Sequence, residues 1–299
     1  MNIMEEIKKF IKTANKPLIV ILGPTASGKT SLSLALAHEI NGEVISTDSR
    51  QIYKGMEIGT EAVFKKEMHG IPHHMIGITT PDKTITLAEY KEAAIKIINE
   101  IYKKKHIPML VGGTGLYISA ITEGYNVPRI PPNTDLRAKL SIQAEKKGKK
   151  SVHDLLARLD PEAAARIHQN NLRYVIRAIE VHKFSKDKKS EKLPATPFDT
   201  FMIGIDRPRE ELYAAIDARI GKQVKKGLIE EVKKLLVKKY DAALPAMSSL
   251  GVKEIIPYIK GNLTLPECLE ILKKNTRNYA KRQMTWFRRY DNVRWLAPK

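Results

Sequence analysis

The chain has 299 residues, 42% of them hydrophobic, which suffices for one large domain or two of ordinary size around a substantial core. Lysine and arginine number 52 against 33 aspartate and glutamate, a formal charge of +19 that goes beyond the needs of solubility and points to a polyanionic partner. No stretch approaches the ~20 apolar residues of a membrane span, so nucleic acid stands ahead of a membrane. The single cysteine, Cys268, excludes an internal disulfide and a cysteine-cluster zinc site. Met1 to Lys12, with Glu5 and Glu6, lacks the basic-then-apolar order of a signal peptide, and a cytoplasmic protein is expected.

Pro17 to Leu22 is a short unbroken apolar run and reads as a buried parallel strand. Gly23-Pro24-Thr25-Ala26-Ser27-Gly28-Lys29-Thr30 follows and matches the phosphate-loop pattern G-x-x-x-x-G-K-[ST], with Ser31 to Ala37 opening a helix behind it. Strand, glycine loop and helix together make a polyphosphate site. Backbone N–H groups and the positive end of the helix face the anion, Lys29 adds a full charge, and Thr30 offers a hydroxyl to Mg²⁺.

Glu43 to Thr47 is a second strand, closed by Asp48-Ser49-Arg50-Gln51. Residues just past the C-terminal end of a parallel strand line the ligand crevice, so Asp48 is expected to face the phosphate loop, unless it merely bonds its own backbone. Ile52 to Glu61 reads as loop. His73 and His74 lie in an extended segment with no ligand-spaced carboxylate or thiol, which favours one packed and one hydrogen-bonded histidine over a metal site. Leu87 to Lys103 carries apolar residues at helical spacing, with Thr86 and Glu89 placed for a capping box. Ile107 to Val111 is a third buried strand, and Gly112-Gly113-Thr114-Gly115-Leu116-Tyr117 is a second glycine-rich strand-to-helix turn.

From about Tyr125 the rhythm breaks at Pro128, Pro131 and Pro132, and Thr134 to Lys147, Ser151 to Arg158 and Pro161 to Phe184 all read as helices. Three segments result: residues 1–125, the first part of a core; 126–198, a helical insertion; and 199–299, the second part of the core. Arg166, Arg173 and Arg177 recur beside Tyr174, and Lys183 to Lys192 forms a charged connector. Phe201 to Ile205 returns to the sheet, Arg207 to Lys239 is mostly helical, and Leu265 to Tyr290 is a last long helix. On that helix Arg277, Lys281 and Arg288 form a basic stripe. Tyr279, Gln283, Trp286 and Tyr290 form another, suited to base stacking or to a core. The expected fold is α/β, a P-loop NTPase-like core whose parallel sheet is flanked by helices, with an all-helical insertion.

Taken together, the phosphate loop, Asp48-Ser49-Arg50-Gln51-Ile52-Tyr53, Pro72-His73-His74, Gly112 to Tyr117, Arg177-Ala178-Ile179-Glu180-Val181 and Ala280 to Arg288 resemble the tRNA dimethylallyltransferase family in order and spacing. The resemblance covers nearly the whole chain. It implies transfer of a dimethylallyl group from dimethylallyl diphosphate to N6 of the adenosine that follows the anticodon, in tRNAs reading codons that begin with U. It also implies that Thr25 and Arg219 join Lys29 on the diphosphate. Thr114, Arg137, Arg173, Arg177, Ser249 to Glu254, Lys281 and Arg282 would contact the anticodon stem-loop. Allylic C–O cleavage needs charge stabilisation on the departing oxygens and a positioned nucleophile, and a carboxylate accepting an N6 hydrogen orients that amine. Asp48 is the expected carboxylate, with Ser49, Arg50 and Gln51 reading the flipped adenine. Gly251-Val252-Lys253-Glu254 departs from the family's usual Gly-Tyr-Lys-Glu.

A small-molecule kinase would use the same loop. However, a second acidic strand end and an arginine lid are not evident, and a basic helical insertion serves no small acceptor. An RNA-binding protein with a vestigial nucleotide site is a third reading. A monomer is expected, because one elongated RNA fills the basic surface.

Overall fold

The computed structural model describes residues 2–125, 128, 130–185, 196–242 and 244–297, so the connector beyond Ser185 lies outside the described residues. Its contacts separate two compact units, Met1–Tyr125 with Ala195–Lys299, and Asn126–Pro194. The elements in chain order are α1 (Ile3–Thr13), β1 (Pro17–Leu22), α2 (Lys29–Ile40), β2 (Gly42–Ser46), α3 (Glu57–Thr60), β3 (His73–His74), α4 (Leu87–Lys103), β4 (Ile107–Gly112) and α5 (Gly115–Thr122). They continue with α6 (Thr134–Leu159), α7 (Pro161–Arg166), α8 (Leu172–Phe184), β5 (Asp199–Ile205), α9 (Arg209–Lys225), α10 (Leu228–Val237), α11 (Val252–Ile259), α12 (Leu265–Phe287) and β6 (Val293–Leu296).

The larger unit is built on a six-stranded sheet in the order β3-β2-β4-β1-β5-β6 with every neighbouring pair parallel. Strand β1 explains the unbroken apolar run. Leu18, Val20 and Leu22 pack on one face with α4 and α5, while Ile19 and Ile21 pack on the other with α2 and Ile7 of α1. Both faces are covered, so neither set of alternating side chains is polar. A third apolar cluster joins α9, α10, α11 and the first half of α12. The capping box of α4 forms as its sequence suggests, Glu89 N–H on Thr86 Oγ1 at 3.2 Å and Thr86 N–H on Glu89 Oε2 at 2.7 Å.

Arg207 to Lys239 is mostly helical as expected, in two helices that meet at Gly227, whose φ of 101° is left-handed and starts α10 afresh. Several element expectations are corrected. The stretch Ile52 to Glu61, expected as loop, holds the one-turn helix α3. The last helix stops at Phe287. The Pro161 to Phe184 stretch is two helices, because the chain turns at 167–171, where His153 Nε2 donates to the carbonyls of Ala164 and Ile167. Helix α1 and the edge strands β3 and β6 add to the elements read from the sequence.

In the smaller unit, α6 kinks at Gly148, with φ 79°, and its halves pack with α7 and α8 around Leu140, Val152, Leu156, Val175 and Ile179. Glu180 is fully buried there. Its carboxylate accepts Asn133 N–H at 2.6 Å, Arg137 Nε and Nη2 at 2.9 and 2.8 Å, and Arg177 Nη1. Burial pushes that carboxyl up. The donors from Arg137, the Asn133 backbone and Arg177 outweigh it and bring the group down to about 2 from an ordinary 4.5.

Glu180→Ala is expected to destabilise this unit by about 3 kcal/mol, read as lost hydrogen-exchange protection across α6 and α8, because it leaves two arginines and a backbone N–H without their buried partner. The sign with pH follows from a lowered folded value. The stabilisation from Glu180 is complete above the ordinary 4.5 and is lost as pH falls towards 2.

Candidate active site

The C-terminal ends of β1, β2 and β4 open on a cavity of about 460 Å³ lined by residues 25–31 of the phosphate loop, Asp48, Gln51, Thr60, Glu61, Gly112, Gly113, Arg219 and Gln283. Local geometry makes the loop. Gly28 caps α2 in the left-handed region at φ 99°, and Ala26 is held at φ 62°, a conformation a non-glycine residue adopts only under surrounding constraint. Lys29 Nζ turns back on the loop and donates to the carbonyls of Gly23 at 3.0 Å and Pro24 at 2.7 Å. Burial, reinforced by the nearby Arg219 and opposed by Asp48, lowers its ammonium to about 7. Arg219, from α9, donates Nη1 to Thr25 Oγ1 at 2.7 Å and Nη2 to the Thr60 carbonyl at 3.4 Å, and its own acidity is raised chiefly by burial. The Thr60 wall is itself fixed: Glu231 Oε2 and Oε1 accept the N–H groups of Ile58 and Gly59, both at 2.8 Å.

Asp48 lines the same cavity. Its Oδ1 accepts Arg50 N–H at 2.8 Å, the self-capping contact weighed from sequence, and no partner holds Oδ2 among the described residues. The rest of that turn is engaged with the protein. Ser49 N–H meets Thr114 Oγ1 at 3.1 Å, and Arg50 donates to the Pro245 carbonyl and to Ser248 Oγ. Gln51 accepts Ser46 Oγ–H at 2.8 Å and donates to the carbonyls of Thr60 and Glu61. Thr30 is exposed at the lining of the cavity.

The second glycine turn is shaped by what crosses it. A Cβ on Gly112 would lie 2.4 Å from Thr47 Oγ1, on Gly113 2.1 Å from Gln283 Nε2, and on Gly115 2.2 Å from the Trp286 ring. Gln283 Nε2 donates to the Gly113 carbonyl and its Oε1 accepts Thr25 N–H, each at 2.9 Å. Of the two readings of the stripe carrying Tyr279, Gln283, Trp286 and Tyr290, base stacking or core, the structure takes the core. Gln283 is buried at the cavity, Trp286 and Tyr290 pack against the main core, and Tyr290 Oη bonds Ser119 Oγ at 2.6 Å. Tyr279 is pushed up to about 12 by burial and hydrogen-bonds Thr114. The basic stripe is also divided: Arg277 pairs with Asp217 and Arg288 reaches Asp206 at 4.0 Å, while Lys281 and Arg282 are exposed.

Both central histidines are hydrogen-bonded, so the expected split between a packed and a bonded one is corrected. His73 Nδ1 donates to the Ile71 carbonyl at 2.9 Å, and His74 Nε2 meets the buried Glu43 at 2.7 Å beside His106 and Lys104. Ser249 and Glu254 are buried, Glu254 capping Gly251 N–H at 2.9 Å. In the smaller unit, described by itself, Arg173 is exposed, whereas Arg137 and Arg177 are half-buried and gripped by Glu180.

A family model described as IPP transferase matches residues 51–290. The tRNA dimethylallyltransferase of Halothermothrix orenii is 48% identical over 96% of this chain and 89% of its own, and that of Alkaliphilus oremlandii 46% identical over 94% and 91%. The crystal structure of the full-length tRNA isopentenylpyrophosphate transferase of Bacillus halodurans superimposes with a TM-score of 0.71 at 42% identity, covering 95% of this chain and 90% of that one. A eukaryotic dimethylallyltransferase acting on tRNA gives a TM-score of 0.80 at 27% identity, over 95% and 74%. On identity of this extent, along nearly its whole length, the chain belongs to the tRNA dimethylallyltransferase family.

Proposed function

We propose that this chain transfers the dimethylallyl group of dimethylallyl diphosphate to N6 of the adenosine 3′ to the anticodon in tRNAs reading codons that begin with U. The observation that carries the reading is the convergence on one cavity of Lys29, Arg219 and the Thr25 hydroxyl with the unpartnered oxygen of Asp48. Two half-buried cations beside the loop N–H groups call for an anion of more than one charge. The Asp48 oxygen left over calls for a hydrogen-bond donor such as an amine.

In this reading the allylic C–O bond breaks and the electron pair leaves with the diphosphate, whose oxygens Lys29, Arg219, Thr25 and the loop N–H groups stabilise. The adenine nitrogen forms the new C–N bond. Asp48 Oδ2 accepts one N6 hydrogen, orients the lone pair and takes the proton as the bond closes. The exposed Thr30 hydroxyl is a hard oxygen donor of the kind Mg²⁺ takes; it would hold the ion, which would supply charge neutralisation on a diphosphate. Ser49, Arg50, Gln51, Thr114, Arg137, Arg173, Arg177, Lys281 and Arg282 form the tRNA-contacting set, supported by the exposure of Arg173, Lys281 and Arg282. The chain works as a cytoplasmic monomer.

Incubation with labelled dimethylallyl diphosphate and unmodified tRNA tests the assignment. Label on the RNA supports it, and turnover of ATP with a small acceptor instead overturns it. Asp48→Asn keeps the acceptor for Arg50 N–H but cannot take the proton. It should lower kcat by at least ~10² with tRNA affinity little changed, and near-normal turnover would remove Asp48 from the chemistry.

Donor binding carries the pH signature of Lys29. Its ammonium titrates near 7 in the free site, and a bound diphosphate raises it, so affinity is greatest below 7 and weakens by up to about tenfold per pH unit above it. Lys29→Arg, charged throughout, should flatten the profile measured by calorimetry relative to wild type.

A further inference from the structure

We infer that Gln283 is a positioning residue that locks the phosphate loop while the reaction's leaving group is held, an inference that rests on the diphosphate reading above. The Pro24–Thr25 peptide is held at both ends. Its carbonyl accepts Lys29 Nζ at 2.7 Å and its N–H donates to Gln283 Oε1 at 2.9 Å. A diphosphate in the cavity competes for the same ammonium, and an ammonium that turns to the anion gives up the Gly23 and Pro24 carbonyls. The peptide then keeps one of its two side-chain anchors, Gln283.

That anchor is rigid for reasons on its far side. Gln283 is 5% exposed, and its Nε2 donates to the Gly113 carbonyl at 2.9 Å, where any side chain on Gly113 would displace it. Three residues further along α12, Trp286 fills the space above Gly115. One N–H of the amide and one lone pair of its oxygen are each held by backbone, which ties the side chain to two loops at once. The consequence runs through Thr25. Its hydroxyl accepts Arg219 Nη1 at 2.7 Å, which leaves the Thr25 hydrogen to donate to an anionic oxygen, and the position of that hydroxyl is set by the peptide Gln283 holds. In this proposal Gln283, at the edge of the cavity, acts through Thr25 and the loop. The exposed Lys281 and Arg282 flank it, so RNA seated on that turn of α12 bears on the helix that braces the loop.

The test uses Gln283→Leu, which removes both hydrogen bonds at similar volume. Gln283→Leu is expected to lower kcat by about tenfold or more, with the KM for tRNA within about twofold of wild type. The increase in Tm produced by inorganic pyrophosphate should shrink as well. Wild-type kcat in Gln283→Leu, or a lower Tm with the pyrophosphate increment intact, would reduce Gln283 to a packing residue and overturn the proposal. Should wild type transfer no label to tRNA, the assigned reaction fails, while the pyrophosphate increment still decides the clamp.

Discussion

Two half-buried cations held side by side on one cavity, offset by the carboxylates of Asp48 and Glu61, are the constraint on which this molecule depends. Lys29 and Arg219 both lie against the first residues of the phosphate loop, and each is destabilised in its charged form by burial and, for Lys29, by the other cation. Asp48 opposes that effect only in part. A site arranged this way is costly to the folded chain and favourable to a polyanion, because an incoming diphosphate relieves both the desolvation and the mutual repulsion. The same field is strongest for the dissociated leaving group, whose charge is no longer shared with a carbon. In the proposed reaction, binding and bond cleavage would therefore be served by one electrostatic arrangement, fixed before substrate arrives.

Holding like charges in place requires a frame that cannot yield, and the sheet supplies it. β1 is buried on both faces, and β2, β4 and β5 run parallel to it, so the three strand ends that carry the phosphate loop, Asp48 and the glycine turn are registered to one another by backbone hydrogen bonds. Glycines 112, 113 and 115 let Thr47, Gln283 and Trp286 come closer than any β-carbon would allow. Close approach substitutes for extra hydrogen bonds: packing at this density transmits a displacement of one element directly to its neighbour.

What the sequence made legible, and what it did not, divides along chain separation. Strands β1 and β4 show as apolar runs because each is covered on both faces, β2 and β5 show through their shorter apolar centres, and the phosphate loop shows because its pattern is local. β3 and β6 are short edge strands of half-buried residues such as His73, His74 and Trp295, and they carry no period to detect. Gln283 was legible only as one position of a helical stripe. Its partners, Thr25 and Gly113, stand 258 and 170 residues away, and a spacing argument within α12 cannot find them. Arg219 had the same difficulty, 194 residues from Thr25, and came into view through family resemblance. The break at 167–171 escaped because it is set by His153 reaching across from another helix, a tertiary effect that propensity does not contain.

The net charge of +19 also means something different once the arginines are placed. Arg50, Arg137, Arg177 and Arg277 are bound to carbonyls or carboxylates of the chain itself, whereas Arg173, Lys281 and Arg282 are exposed. A free surface lysine offers a polyanion a mobile point charge and loses its rotamer freedom on contact. An arginine already gripped along one edge, as Glu180 grips Arg137 through Nε and Nη2, has lost that freedom on folding and keeps its outer N–H groups for a phosphate. The buried carboxylate subtracts one charge from the count and adds direction to the two that remain. A basic chain that recognises one place on a folded RNA needs that direction, because charge alone attracts every phosphate equally.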